Sequence, residues 1–126
     1  QHAIRARFPS RGLGDVYKIL WILSLSIYLK KKYDQLYRKF VKGNFLEVIR
    51  ECKKILKKRK HQLFFNLLSI AYQKNGEIEK SIDVMKEALA LNPNHPNFLN
   101  NIGTCFYKLH KYSVAKKYYE KVTIYS

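Results

Sequence analysis

The sequence predicts an all-α chain, a short solenoid of helical hairpins with an additional N-terminal hydrophobic helix. Three observations carry this prediction. The chain matches itself at a shift of 34 residues, the apolar residues of each copy recur at three- and four-residue intervals, and turn-forming residues stand where those intervals break off. At 126 residues with 47% hydrophobic content the chain can bury a core, and one repeat domain is expected.

Residues 1–15 form a basic tail. "QHAIRARFPSRGLG" has three arginines and no acid before Asp15, a composition like the remnant of a mitochondrial transit peptide. Gln1 in place of an initiator Met adds to the expectation of a processed chain or a fragment.

Residues 16–29, "VYKILWILSLSIYL", are apolar around the whole helix except for Lys18 and two serines. Such a helix is about 21 Å long, or about 27 Å if it begins at Gly12, against a hydrocarbon core of about 30 Å. Trp21 and Tyr28 lie near its ends, and Lys30, Lys31 and Lys32 would hold one end at a charged interface. Three roles remain open: a single-pass membrane anchor, a hydrophobic helix buried against the first hairpin or a partner, and a cleavable signal. The last is disfavoured because lysines, not a small-residue cleavage site, follow.

Residues 30–126 form the repeat domain, divided near 30–61, 62–95 and 96–126. The shift of 34 carries Phe65 to Leu99, Leu68 to Ile102, Ser69 to Gly103, Tyr72 to Phe106, Ile78 to Tyr112, Ser81 to Ala115, Met85 to Tyr119 and Ala88 to Val122. Each pair keeps its size class. Asn75 and Gly76 end the first helix of the middle copy, and "LHKY" takes their place in the last. "NPNHPN" is a joint: Pro93 stops one helix and Pro96 opens the next. The first copy is degenerate. Its second helix, with Phe45, Val48, Cys52 and Ile55, matches the middle copy at a shift of 33, and Tyr33, Leu36, Tyr37 and Phe40 supply its first helix.

These residues resemble the tetratricopeptide repeat family, whose pattern has a large residue, Leu-Gly, Tyr, then Ala, Phe and a closing Pro. Phe65, Leu68, Ser69, Tyr72, Ser81, Met85, Ala88 and Pro93 follow it in the middle copy. Leu99, Ile102, Gly103, Phe106, Ala115, Tyr119 and Val122 follow it in the last. Ser69 and Ser81 are small residues where the family prefers Gly and Ala. The resemblance implies a right-handed solenoid whose first helices line a partner-binding groove. In this chain that groove would present Asn66, Ile70 and Gln73, then Asn97, Asn100, Asn101, Thr104 and Lys108. Asparagine amides both donate and accept, so such a row suits a partner's backbone. Asn66 and Asn101 could serve in a clamp for chaperone C-terminal carboxylates, but Tyr33, Tyr37 and Asn97 stand where that clamp needs cations.

The net charge of +16 is concentrated: residues 30–61 carry 13 Lys and Arg against 3 acids, a net +10, whereas residues 62–95 carry −1. Lys53, Lys54, Lys57, Lys58, Arg59 and Lys60 form its densest part. Such a block suits an acidic protein, anionic lipid or RNA phosphates. Cys52 and Cys105, without a CxxC, are expected to be buried free thiols. His2, His61, His95 and His110 pair with no nucleophile or metal-ligand motif, and no phosphate loop occurs. No catalytic activity, metal or cofactor is expected. The expected function is a scaffold, adaptor or structural subunit within a multi-subunit, membrane-associated organellar complex, in the mitochondrial inner membrane. Two alternatives are an RNA- or ribosome-associated accessory protein and a soluble peptide-binding receptor.

Overall fold

The computed structural model describes residues 11–125, and among these lie six α-helices and no strand: α1 (Arg11–Val41), α2 (Phe45–Lys58), α3 (Gln62–Lys74), α4 (Ile78–Leu91), α5 (Pro96–Lys108) and α6 (Tyr112–Tyr125). The chain divides into two compact units, one ending at Gln35 and the other beginning at Leu36. Most of the basic tail expected at residues 1–15 falls outside the described residues; its last part, from Arg11, is helical.

α1 corrects the expectation of a helix confined to residues 16–29. It runs for 31 residues, because no Gly or Pro interrupts residues 15–42 and the lysine run is compatible with a helix. Lys30 pairs with Asp34 one turn on at 3.1 Å, and its ammonium lies 5.6 Å from the Tyr33 ring centroid.

In the second unit each helix from α2 to α6 packs on the next, and α3 also reaches α5. This is the packing of stacked hairpins, with α3 and α5 as first helices of adjacent repeats. The apolar stripes meet in one core: Val48 and Cys52 of α2, Phe64, Leu67 and Ala71 of α3, Met85 and Ala88 of α4, Ile102 and Cys105 of α5 are all fully buried. Burying a large aliphatic or aromatic side chain contributes about 1.5–3 kcal/mol, so this continuous core is what stabilises helices of only 13 and 14 residues.

Three turns close the three hairpins in the same way. The N–H of Asn44 donates to the carbonyl of Lys39 at 3.0 Å, Glu77 to Tyr72 at 2.8 Å, and Lys111 to Phe106 at 2.9 Å. Each is paired with a second bond one residue earlier, Gly43 to Phe40, Gly76 to Gln73 and His110 to Tyr107. This double closure needs one residue at positive φ, supplied by Gly43 (87°), Gly76 (82°) and His110 (62°). The degenerate first copy therefore turns as the other two do. The joints between hairpins are capped differently. Nδ1 of His61 accepts the N–H of Leu63 at 3.1 Å at the start of α3, and Pro96 takes the first turn of α5.

Candidate partner-binding surfaces

The residues expected along the groove take different positions on the two first helices. Asn97, Asn100 and Lys108 are exposed along α5, and Asn101 and Thr104 are half-buried. Asn66 and Asn101 do not stand alone: Nδ2 of Asn101 donates to Oδ1 of Asn66 at 2.9 Å, tying α5 to α3 across the repeat boundary. Thr104 donates to the Asn100 carbonyl at 2.9 Å and lies 3.1 Å from the Tyr119 hydroxyl. Ile70 is half-buried. Gln73 is buried, and its amide turns inward to the hydroxyls of Ser69 and Ser81 at 3.4 and 3.5 Å. The structure thus leaves Asn97, Asn100 and Lys108 with most of their polar surface toward solvent, and spends the amide of Gln73 on the interior.

A residue that sequence reasoning passed over is Tyr107. It is exposed and, with Tyr112 and Tyr119, walls an open cleft of about 450 Å³ between α5 and α6, floored by Ala115 and edged by Lys116, Glu120 and Thr123. The signal was present in the sequence as Tyr112 and Tyr119, seven residues apart on one helical face. Tyr107 and Tyr112 meet edge to face at 5.1 Å, and the Tyr112 hydroxyl lies 2.7 Å from Nδ1 of His110.

Lys53, Lys54, Lys57, Lys58, Arg59 and Lys60 of the basic block are all exposed, and Lys57 and Lys58 lie in the last turn of α2, where the helix dipole favours cations. Lys54 reaches Glu51 at 3.4 Å, and Lys60 crosses to Glu87 of α4 at 3.0 Å. Lys53, Lys57 and Lys60 border a cleft of about 210 Å³ whose floor is Leu56, Phe65, Leu68, Tyr72 and Val84. Burial pushes the Tyr72 phenol up from its ordinary pKa. Nearby, Glu77 accepts from Lys80 at 2.8 Å and from Asn75 at 2.7 Å, which holds its carboxyl below the usual value.

Both cysteines are free and buried. Burial raises the Cys105 pKa, so the group is a protonated thiol, donating to Ser81 Oγ at 3.2 Å. Among the described residues no cluster of His, Cys, Asp and Glu could hold a metal ion.

Stacked hairpins with a polar first-helix face and two further clefts define a helical-repeat protein of the kind that binds other proteins. Models of the tetratricopeptide repeat match residues 63–95 and 96–123, and residues 63–123 of this chain belong to the tetratricopeptide repeat family. These repeats indicate a protein–protein interaction scaffold. A search of curated proteins found no match to it.

Proposed function

We propose that this chain is a non-catalytic adaptor or structural subunit of a larger organellar complex, tethered to a membrane through α1, with the mitochondrial inner membrane as its site. The observation that carries the tether is the exposure of α1. Val16, Ile19, Leu20, Trp21, Ile22, Leu23, Ile27 and Tyr28 are each about half exposed in a helix whose most apolar stretch is only 6% buried. Half-exposed apolar residues along several turns are costly in water and stable in lipid. The stretch from Leu13 to Leu29, with Asp15 and Lys18 toward its first end, is about 26 Å long at 1.5 Å per residue, near the hydrocarbon thickness of about 30 Å. Lys18 can extend toward the interface, and Lys30, Lys31 and Lys32 suit the opposite boundary.

Support for the scaffold role comes from the tetratricopeptide repeats. The arginine-rich, acid-free composition of residues 1–14 supports the organellar site. Carbonate extraction of the native protein from fractionated membranes, followed by pull-down in mild detergent, tests both parts. Retention in the pellet with membrane-complex subunits is the expected result. Release by carbonate together with ribosomal proteins and RNA would overturn the tether in favour of an RNA-associated role. Release without RNA, with unfolding of the repeats when residues 16–29 are deleted, would make α1 a cap on a soluble receptor.

A further inference from the structure

The groove of the first helices is not the only surface that suits a protein partner. We infer that the cleft between α2 and α4 is a second docking site, which takes an acidic amphipathic segment of a partner protein; this deepens, and rests on, the scaffold reading.

The cleft has two unlike sides. Lys53 and Lys57, four residues apart on one face of α2, line one edge, and Lys60, which follows the helix after the extended Arg59, continues it. All three are exposed, and among the described residues Lys57 makes no ion pair. The opposite edge is α4, where Glu87 holds Lys60 at 3.0 Å above the half-buried Val84 of the floor. Between them the floor is apolar, with Leu56 and Phe65 closing it from below. At about 210 Å³ the space suits one or two apolar side chains, not a chain of stacked bases or a lipid tail.

The charge distribution selects the partner's chemistry. A partner's carboxylates would meet the lysine edge while its apolar side chain enters beside Val84, which desolvates the new ion pairs and strengthens them. A polyanion of uniform charge is less well matched, because the carboxylate of Glu87 borders the same cleft from α4 and the floor is apolar. Lys54, Lys58 and Arg59 belong to the same basic block but do not border the cleft, so the site divides a charge run that is continuous in sequence.

The test uses the full chain in mild detergent at about 150 mM salt, where surface charge is screened beyond about 8 Å. The probe is a fluorescein-labelled 14-residue helical peptide with Glu on one face and Leu on the other, and a second peptide has its Leu replaced by Ser. The expected result is saturable binding of the Leu peptide, weakened at least tenfold by K53Q/K57Q/K60Q and by Val84→Glu, and within twofold of the unmodified chain for K54Q/K58Q/R59Q. The Ser peptide should bind at least tenfold more weakly. Circular dichroism of each variant confirms that its helices persist. Equal loss in both lysine triples, equal binding of the two peptides, or tighter binding of an oligouridine or of phosphatidylserine vesicles would overturn the site. The carbonate test is read independently, so failure of the peptide to bind leaves the tether standing.

Discussion

The hydroxyls of Ser69 on α3 and Ser81 on α4 lie 2.7 Å apart, both fully buried, at the two positions where closely packed repeat helices ordinarily need Gly and Ala. Ser81 donates to the Ser69 backbone carbonyl at 2.9 Å, and the Ser81 oxygen accepts from the Cys105 thiol of the next repeat at 3.2 Å. Two polar departures from the repeat pattern have become one satisfied network spanning α3, α4 and α5.

That network predicts non-additive mutations. Ser81→Ala should cost about 1–3 kcal/mol, because it strips partners from Ser69, Gln73 and Cys105, while Ser69→Ala should cost about 1 kcal/mol. The double variant should lose less than the sum, since the two hydroxyls desert each other together. Urea denaturation of the four members of the cycle measures this, and strict additivity would contradict it.

The left-handed turn positions make opposite predictions at equivalent sites. Gly76→Ala places a Cβ at φ 82° and should destabilise by about 1–2 kcal/mol, although nothing lies within 4 Å to clash with it. His110→Gly relieves the same strain at φ 62°, offset by the lost Tyr112 contact, and should gain about 0.5 kcal/mol. Thermal melts of the two variants should move in opposite directions.

Gly103 and Tyr119 share a volume that Ser69 and Met85 divide differently one repeat earlier. A Cβ on Gly103 would meet the Tyr119 ring at 2.8 Å, too close without a shift. Gly103→Ala should therefore cost about 1 kcal/mol net, the overpacking outweighing a helix-propensity gain of about 1 kcal/mol. In a Tyr119→Met background the same change should become neutral or stabilising. Denaturant midpoints of the single and double variants decide it.

Stability should fall in mild acid through His61. Burial lowers its pKa from 6.5, and Nδ1 must stay unprotonated to accept the Leu63 N–H. Above pH 6.5 neither state carries the proton. As pH falls through 6.5 the unfolded chain binds it first, so stability drops until the folded pKa is passed. His61→Asn keeps a cap acceptor and removes this titration, so its urea midpoint should decline less between pH 7.5 and 5.5 than that of the unmodified chain.

Much of the repeat architecture is legible from local rules. Gly76, Pro93 and Pro96 mark turns because their backbone preferences act wherever they stand, and Phe65, Leu68, Tyr72 and Met85 recur at helical spacing because one face must be buried. The first copy is harder to read, since α1 continues without a break from the apolar run into Leu36 and Phe40. Its hairpin is nevertheless signalled by Gly43, whose spacing of 33 residues from Gly76 repeats the turn. The candidate sites are less legible. Gln73 and Asn100 are both polar residues predicted for the groove face, yet one amide is turned into the core and the other residue is exposed, a difference set by whether buried serines lie opposite.

Helix identity, turn positions and the run of positive charge follow from properties of residues within a few places of one another, and so stand in the amino-acid order alone. Which lysines of that run border a cleft, which asparagines pair, and which departures from the repeat pattern are satisfied all depend on residues brought together from 12 to 35 places apart. Only packing sets those distances, because hydrogen bonds and ion pairs act over a few ångströms of space whatever the separation along the chain.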